Sequence, residues 1–233
     1  MTGIRRMRPK ALLFDLDNTL YEYEPANTAA KSAVVAYIST QFNRPVHDVE
    51  TAFTEGRKHT HQLLHGTASS HNRLLYLQHA CETLQLGGYD RLTEMHQIFW
   101  KTYFDNMKPR LGVREFLSQN KHPLCIVTDF AAEKQFEKLS KLGLLTHFQL
   151  LVSSEEVGCE KPESKIFREA LRKLRLSSSE VCMIGDDFRK DVEGANACGI
   201  FAYWFNETPP IKKAKGDYQV FSCFNELQGL IDG

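Results

Sequence analysis

In this 233-residue chain, acidic residues stand directly after apolar runs. ALLF (11–14) is followed by Asp15, Leu16, Asp17, Asn18 and Thr19; VCMIG (181–185) is followed by Asp186 and Asp187, with Asp191 about a turn further on. LCIVT (124–128) ends on Thr128, with Asp129 next, and Lys161 lies in a loop beyond the run FQLLVS (148–153). Carboxylates, a hydroxyl and an ammonium are the groups that phosphoryl transfer needs. A carboxylate can attack phosphorus and split a difficult hydrolysis into two steps. Positive charge must stand between that carboxylate and a dianionic substrate, and magnesium, a hard cation that takes carboxylate and water oxygens, suits the task. A lysine and a hydroxyl donor spread the charge of the transferred group. A second carboxylate can protonate the leaving alkoxide and later deprotonate a water.

These residues can meet only if the runs before them lie side by side. Each run is short and continuously apolar, as a parallel strand covered on both faces would be. IFAYWF (200–205) is one more, and the tail DYQVFSCFNELQGLI reads as a last short strand and a closing helix. Helical patterns lie between the strands. AAEKQFEKLSKLG (131–143) spaces Phe136, Leu139 and Leu142 about one turn apart and stops at Gly143, a C-terminal glycine. SKIFREALRKL (164–174) opens on Ser164 as the expected N-cap. The alternation predicts an α/β fold with a doubly wound parallel sheet. Ligands of such sheets bind beyond the carboxyl ends of the strands, where strand order reverses. Residues 22–107 break the alternation. PANTAAKSAVVAYISTQF, VHDVETAFTEGRKHTHQLLH, NRLLYLQHACETLQL and LTEMHQIFWKTYF read as helices, with turn-formers between them at Arg44-Pro45, Gly66 to Ser70 and Gly87-Gly88. The expected organisation is a core of residues 1–21 plus 108–233 and an inserted helical module of residues 22–107.

The ordered segments resemble the motifs of the haloacid dehalogenase superfamily. D-x-D-x-T stands at Asp15, Asp17 and Thr19, a threonine at Thr128, a lysine at Lys161, and G-D-x-x-x-x-D runs from Gly185 through Asp186 to Asp191. The resemblance extends from about residue 10 to residue 231, and the insert is similar to that family's C1-type cap. It implies a three-layer core under a helical-bundle cap. It also implies Asp15 as nucleophile and magnesium ligand, and Asp17 as acid and base, lending its backbone carbonyl to the metal. Asp186 would be the third ligand, Thr128 would hold a phosphoryl oxygen, Lys161 would neutralise Asp15 and the phosphate, and Asp191 would orient Lys161. Asp187 is a candidate for reaching the metal through water. Asp129 and Phe130 stand where the family often has Asn and Gly. An anion beside a phosphate is unfavourable unless it points away or caps the next helix, so the backbone N–H of Asp129 is expected to serve the phosphate. Asp17 argues for phosphate esters over alkyl halides, whose leaving group needs no proton. Asn18 and Tyr21 are similar to nucleotidase-like members.

The expected activity is magnesium-dependent hydrolysis of a small phosphomonoester, a nucleoside monophosphate or sugar phosphate, through an aspartyl-phosphate, with the cap closing over the site. Rival readings are a phosphotransferase or phosphomutase, a phospho-aspartate signalling domain (which is shorter and has no insert), and a non-catalytic phosphate-binding module. The expected partner is a small phosphorylated metabolite. Lys+Arg and Asp+Glu both number 29, so no basic excess points to a nucleic acid polymer. No run approaches the ~20 apolar residues that span a bilayer. The six cysteines are scattered without a C-x-x-C pair and read as reduced core side chains. A cytoplasmic protein is expected, as a monomer or homodimer. His61 and His65, four apart, can share a helix face; with no third ligand a solvated face is preferred to zinc, and also to contact, together with Lys58, with a substrate's anionic or ring portion. Trp100, Tyr103 and Phe104 read as core of the insert, and Lys212, Lys213 and Lys215 as a solvated loop.

Overall fold

Strand β1 (Ala11–Phe14) is apolar and fully buried at every position. It lies in a six-stranded sheet with β2 (Leu124–Thr128), β3 (Leu150–Ser153), β4 (Val181–Gly185), β5 (Phe201–Phe205) and β6 (Tyr218–Phe221). All pairings are parallel, in the order β3-β2-β1-β4-β5-β6. The computed structural model describes residues 9–87, 89–208 and 215–232, so Lys212 and Lys213 lie outside the described residues; Lys215 is exposed.

The strands show no polar face because helices cover both sides of the sheet. On one side Leu13, Val127, Val152, Met183 and Ala202 share a core with Ile166, Phe167 and Ala170 of α8 (Ser164–Leu174). On the other, the Phe14 ring lies 5.9 Å from Phe116 of α5 (Val113–Gln119) and 6.2 Å from Phe148. Phe116 in turn meets Phe224 of α10 (Phe224–Asp232) at 6.1 Å. Helices α6 (Ala132–Leu142), α7 (Ser154–Val157) and α9 (Gly194–Ala197) complete this unit, which holds the described residues up to Glu22 and from Lys108 onward. From β1 the chain steps outward through β2 and β3, then returns to the far side of β1 for β4, β5 and β6. The reversal falls between β1 and β4, which fixes where a ligand can enter beyond the strand ends.

Several sequence expectations need correction. β3 begins at Leu150, not 148, because the Phe148 ring packs on Phe14 and the Gln149 side chain accepts the Leu124 N–H at 2.6 Å. β5 begins at Phe201. The N-cap of α8 is Glu163, and Ser164 is its first helical residue. The largest correction concerns α6: Phe136 is 47% exposed, whereas Gln135 and Lys138 are buried together with Leu139 and Leu142. Gly143 has φ of 67° and does end that helix.

The second unit, Tyr23–Met107, is helical. It contains α1 (Tyr23–Phe42), α2 (Val46–Leu63), α3 (Arg73–Thr83) and α4 (Leu92–Asp105), with α1 packed on α4 and α2 on α3. Val34, Ile38, Phe53, Leu77, Phe99 and Tyr103 are buried in it. Phe99 stacks on Phe53 at 6.2 Å and on Tyr103 at 6.1 Å. Trp100 is buried and Phe104 half-buried. Arg73 is buried too, its guanidinium 5.5 Å from the Trp100 ring centre and donating to His71 O at 2.6 Å. Aromatic faces and a carbonyl replace the water this cation loses. His61 Nε2 is hydrogen-bonded to Tyr76 Oη at 2.9 Å. Among the described residues no group of metal-ligating side chains includes His61 or His65. No helix of the described residues is long and apolar enough to cross a membrane.

Candidate active site

Strands β1 and β4 are neighbours at the reversal, and the residues that follow them are Asp15 and Asp186. Asp15 N donates to Ile184 O at 2.9 Å, so the ladder carries its carboxylate one residue past the strand end. Lys161 comes from the segment between α7 and α8; its Nζ lies 2.6 Å from Asp15 Oδ1 and 2.7 Å from Asp191 Oδ1. Asp191 stands in a wide π turn, Phe188–Glu193, and its Oδ2 accepts the Asp187 N–H at 3.0 Å. Thr19 ties the two strand ends together. Its Oγ1 accepts the Asp186 N–H at 3.1 Å and lies 2.9 Å from Asp186 Oδ1 and 3.1 Å from Asp15 Oδ2. Asn18, at φ 64°, donates from Nδ2 to Asp186 Oδ2 at 2.7 Å. Arg110 holds Asn18 in turn, donating to its Oδ1 and its backbone O at 3.1 Å each. A recess of about 260 Å³ lined by Asn18, Arg110, Asp186, Phe205 and Asn206 opens beside these groups.

The charges here do not balance. Asp15, Asp186 and Asp191 each offer an oxygen within 4.8 Å of the others, and Lys161 is the ammonium among them. Burial alone would favour neutral Lys161, but Asp15, Asp191 and Asp129 outweigh it and hold its ammonium well above the usual lysine range. Burial pushes Asp15 well above the usual carboxylate range; Lys161 opposes the shift, while Asp191 and Asp186 add to it. Burial likewise raises Asp186, and it pushes Asp191 up to about 6 against the pull of Lys161. A buried, oxygen-only cluster with surplus negative charge suits a hard divalent cation. Asp191 is held by Lys161 and the Asp187 N–H, Asp15 by Lys161 and Thr19, and Asp186 by Asn18 and Thr19.

The Asp17 carboxylate turns away from this cluster toward α6. Lys138 Nζ stands 2.6 Å from its Oδ1, Tyr21 Oη donates to the same oxygen, and Gln135 Nε2 lies 2.9 Å from its Oδ2. Burial would raise this carboxyl; Lys138, with the Tyr21 and Gln135 hydrogen bonds, wins and holds it below the usual range. Gln135 Nε2 also reaches Thr128 Oγ1 at 2.5 Å and Asp129 O at 2.9 Å. Thr128 is fully buried at the end of β2.

Asp129 does not cap the next helix. The α6 N-cap residue is Ala131, and the Ala132 N–H goes to Glu155 Oε2 at 2.9 Å. Instead Asp129 Oδ1 accepts the Lys161 N–H at 2.8 Å, and Oδ2 pairs with Lys190 Nζ at 2.7 Å. The side chain thus holds the Lys161 backbone, and Lys190 offsets its charge. Asp187 Oδ1 accepts the Lys190 N–H at 2.9 Å and caps the π turn.

Of the residues singled out from sequence, Asp15, Lys161, Asp186 and Asp191 share one cluster; Gln135 links Asp17, Thr128 and the Asp129 carbonyl to one another, and the Asp129 side chain reaches the cluster at the Lys161 backbone. Gln135, Lys138, Lys190 and Arg110 were not foreseen. Gln135 and Lys138 are one turn apart on the helix after β2, but nothing local distinguishes them from a solvated polar pair.

Residues 9–199 match the family model of the haloacid dehalogenase-like hydrolases. The chain is 36% identical over 203 residues to the ribulose-1,5-bisphosphate 5-phosphatase of Halopiger xanaduensis, covering 84% of each chain. It is 33% identical over 199 residues to the glyceraldehyde 3-phosphate phosphatase of Methanopyrus kandleri, covering 82% of this chain and 81% of that one. The crystal structure of a 2-haloacid dehalogenase from Pseudomonas syringae has a TM-score of 0.75 and 22% identity, covering 96% of this chain and 98% of that chain, a likeness of fold. With the family model spanning most of its length and these relatives aligned across more than four-fifths of it, this chain is an enzyme of the haloacid dehalogenase-like hydrolase family.

Proposed function

We propose that the chain is a magnesium-dependent phosphatase of small phosphomonoesters, with sugar phosphates as the preferred class and Asp15 as nucleophile. The observation that carries this reading is Asp15 itself: at the strand-order reversal, 2.6 Å from an ammonium and clustered with Asp186. An Asp15 oxygen attacks phosphorus as the bond from phosphorus to the leaving oxygen breaks; for Asp17 to give that oxygen a proton, its carboxylate must first take one up and leave the Lys138 ammonium that holds it ionised. A water then attacks the phosphoryl group and passes its proton to Asp17; the bond to Asp15 breaks, and phosphate leaves. Bound magnesium, held by Asp15, Asp186 and the Asp17 carbonyl, would supply the charge that lets two anions approach. Lys161 and the Thr128 hydroxyl serve the phosphoryl oxygens, with Asp191 and Asp129 keeping Lys161 in place. The helical insert keeps the role of a cap in this reading. The names of the two phosphatase relatives support sugar phosphates over nucleotides.

The test is phosphate release from p-nitrophenyl phosphate and a panel of sugar phosphates and nucleoside monophosphates. Wild type and Asp15→Asn are compared with and without magnesium. Turnover is expected only for wild type with the ion, and highest on a sugar phosphate. Equal rates in the two proteins reject Asp15 as nucleophile.

A further inference from the structure

We propose that Arg110 is a positioning residue of the cation site: acting through Asn18, it fixes the Asp186 carboxylate in the orientation that receives magnesium. This rests on the reading of the Asp15 and Asp186 cluster as a magnesium site. The chain of contacts is short. Arg110 Nη2 donates to Asn18 Oδ1 and Arg110 Nε to Asn18 O, at 3.1 Å each, and Asn18 Nδ2 donates to Asp186 Oδ2 at 2.7 Å. Thr19 Oγ1 lies 2.9 Å from the other oxygen, Oδ1. Each carboxylate oxygen has two lone pairs, so these donors set the plane of the carboxylate and still leave it able to bind an ion.

Each link is itself held in place. Arg110 N donates to Leu20 O at 3.0 Å, beside an antiparallel bridge between Tyr21 and Pro109, which ties the Arg110 backbone to the loop that carries Asn18. The Arg110 side chain is only 10% exposed; its guanidinium lies 4.8 Å from the Phe205 ring centre and 2.9 Å from Glu207 Oε1. Asn18 has a φ of 64°, a conformation that glycine adopts without steric cost. What asparagine adds there is its amide. Turning that amide over would set Oδ1 against Asp186 Oδ2 and Nδ2 against the guanidinium, so Arg110 selects the orientation that donates to Asp186.

Charge alone would give Arg110 the opposite effect. A guanidinium near a cation site repels the ion, even with Glu207 offsetting part of its charge. Geometry acts the other way. Removing a group that orients a metal-ligating side chain weakens metal binding by about 10–100-fold. The direction in which magnesium affinity moves when the guanidinium is removed therefore separates a positioning role from a merely electrostatic one.

The experiment titrates magnesium chloride into wild type, Arg110→Met, Asn18→Gly, Asn18→Gly/Arg110→Met and Asp186→Asn, and reads the rise in Tm. An ion that binds only the folded protein stabilises it according to the ratio of its concentration to Kd. Each protein is referred to its own ion-free Tm, so a loss of stability by itself does not count. Asp186→Asn sets the baseline for ions bound elsewhere. Arg110→Met and Asn18→Gly are each expected to raise the magnesium Kd about tenfold or more, and the double variant should bind no more weakly than Asn18→Gly alone. An unchanged or lower Kd in Arg110→Met, or a further loss in the double variant, overturns the inference and leaves the magnesium reading intact. A wild type that magnesium stabilises no more than Asp186→Asn overturns that reading and this inference with it.

Discussion

Replacing Gly185 by alanine adds one methyl group at the carboxyl end of β4 and is expected to unseat Asp191. Gly185 is not among the glycines with positive φ, so the effect is steric rather than conformational. The added Cβ would overlap Asp191 Oδ2 and Cγ and stand 2.6 Å from Asp191 Cβ. Those atoms cannot swing aside freely, because Asp191 is 1% exposed and held by Lys161 Nζ at 2.7 Å and Asp187 N at 3.0 Å. Overpacking a filled interior costs about 1–3 kcal/mol. Driving the carboxylate off Lys161 would add up to about 3–5 kcal/mol, the range for breaking a buried pair. Even 1 kcal/mol shifts Tm by about 2–4 °C in a chain of this size. The assay is thermal denaturation of wild type, Gly185→Ala, Asp191→Gly and the double variant. With the Asp191 side chain removed, the new methyl group has room. The double variant should then be little worse than Asp191→Gly, with a coupling of about 1 kcal/mol or more, as residues in contact show. Additivity within about 0.5 kcal/mol, the behaviour of independent sites, would refute the steric argument.

Gly229, inside α10, offers the opposite case: nothing lies within 4 Å of an added Cβ. Gly229→Ala is expected to stabilise the chain by about 0.5–1 kcal/mol through helix propensity, read as a rise in Tm. Cys223 is exposed, whereas burial pushes the Cys81 thiol up to about 11 and that of Cys125 up to about 12. Titration of native protein with a thiol reagent should show Cys223 reacting first, the half-buried Cys159 and Cys198 more slowly, and Cys81, Cys125 and Cys182 only on unfolding; early reaction of any of those last three would contradict the packing. Trp204 Nε1 donates to Asp186 O at 2.8 Å, and its ring lies 4.8 Å from Phe188. In a Trp100→Phe background, which leaves one of the two tryptophans, magnesium should give a saturable fluorescence change that Asp186→Asn weakens strongly. No change in wild-type Asp186 protein would count against a cation at this cluster.

How much of this was legible in the sequence follows from the range of the interactions involved. Strand runs such as ALLF and VCMIG could be read directly, because a parallel strand buried on both faces admits almost no polar residue. Asp15, Thr128, Lys161, Asp186 and Asp191 stood out because they interrupt or follow such runs in a recognisable order. Gly143 ended α6 as expected because a left-handed residue is a local requirement. The α6 face was misread for the same reason. Phe136, Leu139 and Leu142 make a plausible stripe, but which face is buried depends on what lies opposite. Opposite Gln135 and Lys138 lies Asp17, more than a hundred residues away in sequence. Asp129 belongs to this class as well, since its partners Lys161 and Lys190 come from later loops.

The sequence by itself determined the alternation of strand and helix, the helical insert and the kinds of group at the strand ends. These depend on burial and backbone geometry, which act within a few residues. Only the tertiary structure decided the strand order, with β1 and β4 adjacent, and with it the pairing of Asp15 with Asp186 around Lys161. Only it decided that Asp17 faces a buried lysine rather than the acidic cluster. Those outcomes rest on contacts between distant segments, and a side chain's charge has no direction until the fold supplies its neighbours.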